Sequence, residues 1–273
     1  IVRSTFDTNA NNIAAGAPNG GLPHAQHSSS QILSTGQKYG AGALRHDFSA
    51  AYLQYYSSNS PFDPSGTWTI EFWLKMEDFG SLGGSGIGNE YRSIWSQSWA
   101  SGAGDYSFGL RYTTNNYNYL GVGGNAFKFY WRNGETLSEL HHDQIPAAIL
   151  EEYNHVALVR NSSGDIVLYF NGYKLRHNFT DTTVFNDTSI TYTPNASMRL
   201  GHPEDDFTAQ DDSFDGYIDD LRITTTVKYT ENFTPPSGSL PTTGTITNDP
   251  PGSPTSGFLT YPTGNGTSGQ VLT

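Results

Sequence analysis

The chain has no cysteine, which removes disulfide frameworks, thiolate metal sites and cysteine nucleophiles. A chain of 273 residues can bury enough apolar surface without covalent staples, so this absence does not argue against an extracellular life. Basic residues are also scarce: 14 Lys and Arg stand against 26 Asp and Glu, a formal charge of −12, with no basic run anywhere. Nucleic acid and acidic lipid surfaces are repelled by such a chain on average, and neither is expected as a partner. No apolar stretch approaches the roughly 20 residues that span a bilayer as a helix, so membrane insertion is not expected. Helical periodicity is nearly missing. Ile145–Tyr153 alone suits a short turn of helix, with Pro146 fit for its start.

Catalytic signatures are missing as well. Retaining glycoside hydrolysis needs two carboxyls about 5–5.5 Å apart, which a strand supplies from positions i and i+2 or i+4. Met76-Glu77-Asp78 and Glu151-Glu152 lack that spacing, and no serine sits in a nucleophile elbow. A non-enzyme is expected, with a glycoside hydrolase as the catalytic rival.

What the chain has in quantity is aromatic side chains, at 14 %, and strands punctuated by Gly, Asn, Pro and Ser. Thr67–Met76 places Trp68, Ile70, Phe72, Leu74 and Met76 at every second position, on one face of a strand. Further strands are expected at Ala51–Tyr56, Ser107–Tyr112, Ala126–Trp131, Asn154–Arg160, Asp165–Asn171, Ala196–Gly201 and Phe214–Thr225. Asn171-Gly172 supports the positive φ angles of a type I′ turn and predicts a hairpin. Many alternating strands hide their apolar faces in two stacked sheets or in one closed barrel. The long strands and uneven loops favour the sandwich, and a jelly roll of fourteen strands matches the length. From Ser237 to Thr273 the texture turns to Gly, Ser, Thr, Pro and Asn. The organisation expected is a domain over residues 1–236, then a linker or extended tail over 237–273 leading to a further unit.

Several segments, in order, resemble one family. Tyr39–Leu44 (YGAGAL), Thr69–Leu74 (TIEFWL), Tyr153–Arg160 (YNHVALVR), Leu168–Leu175 (LYFNGYKL), Arg199–Gly201 (RLG) and Phe214–Ile223 (FDGYIDDLRI) resemble the strands of laminin-G-like (LamG) domains. Tyr153 stands where that family usually has Trp, and Asp78–Asn89 and Leu137–Leu150 read as long insertions. The resemblance implies an all-β fold: a two-sheet antiparallel concanavalin A-like β-sandwich jelly roll followed by an extended tail. Val227–Pro236 and the final GTSGQVLT resemble segments of tailed-bacteriophage virion and tail-fibre proteins. That likeness implies a structural or adhesive domain on a virion surface, as a tail fibre, spike or head decoration. Its expected partners are other virion proteins, copies of itself in a homo-oligomer, and a host cell-surface glycan. An extracellular lectin-like module of a non-viral secreted protein is the alternative.

The resemblance also implies a structural calcium ion, with Asp7 in place of the family's early Asp and Asp219 and Asp220 matching its later pair. Carboxylate and carbonyl oxygens suit Ca²⁺. The other reading is that these side chains hold loop amides and no metal. Glycan recognition is expected on predicted loops. Trp99 lies in Ser96–Tyr106, and Asn115, Asn116, Tyr117 and Tyr119 lie in Tyr112–Leu120; their rings stack on sugar faces and their amides receive hydroxyls. Trp68, Trp73 and Trp95 read as core. The pair His141-His142, followed by Asp143, reads as surface loop, since adjacent side chains in an extended chain point apart. His155 falls in the family's Asn-His motif, which implies a structural hydrogen bond. A second acidic run, Glu204–Asp212, lacks calcium-loop spacing and reads as solvated loop.

Overall fold

A computed structural model describes residues 2–7, 25–26, 30–47, 51–55, 65–77, 91–98, 107–113, 126–133, 136–177, 180–186, 197–201 and 215–240. In chain order these form β1 (Val2–Ser4), β2 (Ala25–Gln26), β3 (Ser30–Leu33), β4 (Ala43–His46), β5 (Leu53–Tyr55), β6 (Trp68–Met76), β7 (Tyr91–Ser98), β8 (Ser107–Thr113), β9 (Ala126–Asn133) and β10 (Thr136–Gln144). After a one-turn helix, α1 (Ala147–Leu150), come β11 (Asn154–Arg160), β12 (Asp165–Phe170), β13 (Tyr173–Lys174), β14 (Phe185–Asn186), β15 (Ser197–Leu200) and β16 (Gly216–Thr224). They build two sheets. One has nine strands in the order β13-β12-β11-β6-β16-β4-β3, with β1 beside β16 and β14 beside β12. The other has seven, in the order β10-β9-β8-β7-β15-β5-β2. Every strand pairing among the described residues is antiparallel.

The two sheets face each other as a sandwich. Trp68, Ile70, Phe72, Leu74 and Met76 of β6 all point into the dry layer, where Phe108, Leu110 and Tyr112 of β8 and Phe127, Phe129 and Trp131 of β9 meet them. Rings touch across the layer: Trp68 lies 6.1 Å from Phe108, and Phe127 lies 5.8 Å from Phe170. Each such side chain taken fully out of water contributes roughly 1.5–3 kcal/mol. The β12–β13 turn has Asn171 at φ 49° and Gly172 at φ 82°, as the Asn-Gly dipeptide predicts. Pro146 precedes α1 as expected.

The described residues form sixteen strands, of which β2, β13 and β14 are two-residue pairings too short to leave a pattern. Three loop expectations also change. Residues 136–144 are β10, and His142 and Asp143 are buried there. Asp143 accepts from the Arg176 backbone N–H (2.8 Å) and from its Nε (2.9 Å), so this stretch is a paired strand and no surface loop. Ser96–Ser98 belong to β7 and Thr113 to β8, while Tyr112, the end of an expected strand, is in the core.

The described chain continues past Pro236 to Leu240, which is buried. Residues 225–240 cross the outer face of the nine-stranded sheet, where Val227, Tyr229 and Phe233 cover Ala157, Val159, Val167 and Tyr169.

Candidate functional site

The glycan candidates Trp99, Asn115, Asn116, Tyr117 and Tyr119 lie outside the described residues, as does the run 204–212. The calcium candidates can be placed. Asp7 Oδ1 accepts from the Ala41 backbone N–H. Asp219 Oδ2 accepts from the backbone N–H groups of Lys38 (2.8 Å) and Tyr39 (3.0 Å). Two of the three carboxylates therefore serve one turn, residues 38–41. Asp220, held at φ 57° in the β-bulge of β16, turns elsewhere and accepts from Ser239 Oγ (3.0 Å) and from the Leu240 N–H. Among the described residues no three His, Asp or Glu side chains are grouped as a metal would need. One oxygen at this turn is unpartnered: Asp219 Oδ1 is buried with no donor. Burial, opposed by the Tyr39 and Lys38 amides, raises the Asp219 carboxyl to about 7. Asp219 Oδ1 is thus the oxygen left for a cation, while Asp7 Oδ1 holds the Ala41 amide and Asp220 is committed to residues 239–240.

A second polar cluster lies on the outer face of the nine-stranded sheet. Glu71 accepts from Arg222 Nε at 2.7 Å and from the Tyr229 hydroxyl at 2.7 Å, and His155 Nε2 lies 3.2 Å from its Oε2. Strand register brings these groups together, since Glu71 pairs with Ala157 of β11 on one side and Arg222 of β16 on the other. Burial alone would raise the Glu71 carboxyl, but the His155 hydrogen bond and the Arg222 charge outweigh it and hold Glu71 below the usual carboxylate range. The His155 ring is walled by Trp73 (5.2 Å), Phe233 (5.6 Å) and Tyr229 (6.2 Å). Glu71 and His155 are shut away from water. This acid–histidine pair is a structural tie beneath residues 225–240 and has no substrate access. Ser30 Oγ and His46 Nδ1, 2.7 Å apart, are buried in the same way. Burial lowers the His46 imidazole to about 3.

The outer face of the seven-stranded sheet is chemically different. Strand register lays one row across six strands: Gln54, Arg199, Ser96, Gly109, Tyr130 and Glu139. The neighbouring row carries Ser93, Arg111 and Lys128. No aliphatic side chain interrupts either row. Arg199 Nε donates to Gln54 Oε1 (3.1 Å), and its guanidinium lies 4.6 Å from the Tyr52 ring centre. The Arg111 guanidinium lies 4.0 Å from the Tyr130 ring centre. Lys128 Nζ donates to Glu139 Oε2 (3.0 Å); burial lowers its pKa, with Glu139 opposing. Tyr130 folds across the sheet because Gly109 leaves room for it: a Cβ there would fall 2.7 Å from the Tyr130 hydroxyl. Arg199 and Tyr52 are half-buried, whereas Arg111, Lys128 and Tyr130 lie deep. Sequence reading did not find this face, because no segment contains it. Gln54 and Arg199 are 145 residues apart, and the signal available was alternation within β5 and β15.

Residues 49–231 match the family profile Laminin_G_3, described as the concanavalin A-like lectin/glucanases superfamily. No curated protein matches the chain in sequence. Similar solved structures include the binding domain of Paraclostridial Mosquitocidal Protein 1, at 12 % identity and a TM-score of 0.50, covering 78 % of this chain and 46 % of that one. Full-length tailspike protein 2 from Escherichia coli O157:H7 bacteriophage CAB120 aligns at 13 % identity and a TM-score of 0.47, covering 72 % of this chain and 24 % of the tailspike. The Ruminococcus gnavus IT-sialidase CBM40 aligns at 20 % identity and a TM-score of 0.40, covering 64 % and 90 %. The chain spans less than half the length of the toxin domain and of the tailspike. At these identities the likeness is one of fold.

Proposed function

The chain belongs to the concanavalin A-like lectin/glucanase superfamily through a Laminin_G_3 domain, and from that premise we propose a non-catalytic glycan-binding domain displayed on a tailed-phage virion. The observation that carries the binding role is the outer face of the seven-stranded sheet. There the half-buried Arg199 guanidinium and Tyr52 ring lie together, 4.6 Å apart, beside rows whose members Gln54, Ser96, Arg111, Lys128 and Tyr130 are buried. Its polar groups are held by strands, which suits a ligand recognised through hydroxyls and ring faces. The non-catalytic reading is supported by Glu71, whose two oxygens are engaged by Arg222, His155 and Tyr229 and are shut away from substrate. The virion placement is supported by the phage-like segments at 227–236 and at the C-terminus. A non-viral extracellular module would use the same face.

A broad glycan array probed with the full chain tests the binding role. The expected result is a restricted set of hits, weakened by Tyr52→Ala, which removes a half-buried ring of that face. Absence of any hit refutes it, and release of reducing sugar from a bound polysaccharide refutes the non-catalytic part. Antibody labelling of intact particles tests the placement. Self-association is part of the same reading, and light scattering is expected to give an oligomer's mass. Calcium enters at Asp219 Oδ1 and Asp7. At pH 8 added Ca²⁺ is expected to raise Tm over an EDTA control, with the rise lost in Asp219→Asn; equal Tm values remove the ion.

A further inference from the structure

Asp219 and Asp220 are consecutive, and in a regular strand their side chains leave opposite faces of the sheet. A bulge changes that. The register of β16 against β6 shifts between Asp219 and Arg222, and Asp220 stands at φ 57°, a backbone state that persists only where surrounding contacts hold it. Those contacts come from two segments far apart in the chain. Asp219 Oδ2 takes the Lys38 and Tyr39 amides at 2.8 and 3.0 Å. Asp220 takes the Ser239 hydroxyl at 3.0 Å and the Leu240 amide. The same two segments also meet directly, where the Tyr39 hydroxyl donates to Pro236 O at 3.0 Å. Both carboxylates are buried, so the loss of a donor at either is relieved by water only if the backbone moves.

The turn over this bulge is closed against an opposing force. Beneath it Asp219 Oδ1 and the Trp73 indole N–H are buried with no hydrogen-bond partner among the described residues. Trp73 lies under the turn, with Lys38 Nζ 4.7 Å from its ring centre and the Tyr39 ring 5.5 Å away. Buried polar groups that lack partners regain hydrogen bonds when water reaches them, which favours lifting the turn. Gly36 and Gly40, at φ 81° and φ 68°, stand near its two ends and serve as hinges. Against opening act the Tyr153 hydroxyl on Gly36 O (2.6 Å), the Ala41 amide on Asp7, and the C-terminal segment, through Tyr39 and through the bulge.

We propose that residues 36–41 and 236–240 are two halves of one clasp, joined through the Asp219–Asp220 bulge. With the C-terminal half seated, the turn stays closed over Trp73. With residues 236–240 drawn away, the turn opens on its glycines, while both sheets and the Phe233 contact to Gly172 stay folded. The coupling is reciprocal, since each half raises the stability of the other by the same factor. A partner or a load that acts on residues 241 onward therefore changes the protein surface at the turn.

Amide hydrogen exchange on the full chain, with EDTA present so that no cation contributes, tests the clasp. Leu240→Pro removes the amide that Asp220 receives, and Ser239→Ala removes the hydroxyl. Both are expected to speed exchange at Lys38 and Tyr39, about tenfold for Leu240→Pro and less for Ser239→Ala. The amides of β6, β11 and Phe233 are expected to keep their rates. In the reverse direction, Tyr153→Phe removes the hydroxyl that holds Gly36 and is expected to speed exchange at Leu240. Unchanged rates at Lys38 and Tyr39 in both C-terminal variants overturn the clasp and leave two independent covers. A uniform rise across the turn, β6 and β11 also overturns it, because residues 239–240 then add only to global stability. If Leu240→Pro does not fold, Ser239→Ala and Tyr153→Phe decide: a faster opposite half in both supports the clasp, and no change there in either one overturns it.

Discussion

Glu71 has no exposure to water and three hydrogen-bonding neighbours, so its removal cannot be relieved by solvent. In Glu71→Ala the buried Arg222 guanidinium loses the carboxylate that its Nε meets at 2.7 Å. Breaking one side of such a pair costs roughly 3–5 kcal/mol, and urea denaturation is expected to show a loss in that range. Glu71→Gln, which keeps an acceptor but not the charge, is expected to fall between. Asp219 makes a different prediction because its burial is compensated by amides alone. Its carboxyl titrates at about 7 when folded and near 3.8 when unfolded. Between those values the native state holds the extra proton, so this group lowers stability as pH rises from about 4 to 7, and the effect levels off above that. Three units set a ceiling on the order of 4 kcal/mol. Asp219→Asn keeps an oxygen for Lys38 and Tyr39 and is expected to flatten the curve of unfolding free energy against pH. An unchanged slope in the variant would locate the titration elsewhere.

Among the elements, the β12–β13 hairpin is where local sequence and distant packing meet. Asn171-Gly172 sets the turn, and the same glycine receives the C-terminal crossing segment: the Phe233 N–H donates to Gly172 O at 2.9 Å. A Cβ on Gly172 would fall 1.8 Å from Phe233 O, at a φ of 82° that disfavours any side chain. Gly172→Ala is therefore expected to cost roughly 2–4 kcal/mol, above the ~1 kcal/mol of conformational strain alone, and to raise hydrogen exchange at Phe233 and Lys174. What the sequence made legible follows the same division between local and distant. Strand β6 was readable because it alternates cleanly, and β11 and β12 because each is a short apolar run bounded by polar or turn residues, buried on both faces. β7 was not, because its bulge between Ser93 and Trp95 turns both Ile94 and Trp95 inward and breaks the period of two. β10 was not, because Glu139 pairs with Lys128 and Asp143 with Arg176, so a strand packed by ion pairs looks like a polar loop. His155 was legible as a structural histidine from its motif. Its acid, Glu71, lies 84 residues away and is set by register alone. The Gln54–Arg199 contact was illegible for the same reason.

At the scale of the molecule, the outer face of the nine-stranded sheet depends on a segment that follows the last strand. The nine-stranded sheet is sealed by its own chain. Tyr229 and Phe233 stack with centroids 3.5 Å apart over Tyr169 and His155. Thr69 donates to Thr226 O (2.8 Å) and accepts from the Lys228 N–H (3.0 Å), and the Tyr39 hydroxyl donates to Pro236 O (3.0 Å). Texture alone put the domain limit at Pro236, but Ser239 and Leu240 close over Asp220, and Leu240 is buried. Three truncations separate these contributions. A chain ending at residue 240 is expected to unfold at the same urea midpoint as the full chain. Ending at 236 strips donors from the buried Asp220 carboxylate and removes the Leu240 side chain, a loss of roughly 2–4 kcal/mol. Ending at 224 removes the Tyr229 bond to Glu71 and opens Ala157, Val159 and Tyr169 to water, and that chain is expected to bind ANS or aggregate. If the chain ending at 236 matched the full one, the packing of residues 237–240 would add nothing. If the chain ending at 224 folded normally, the outer face would need no cover, and the segment from 225 onward would be a linker.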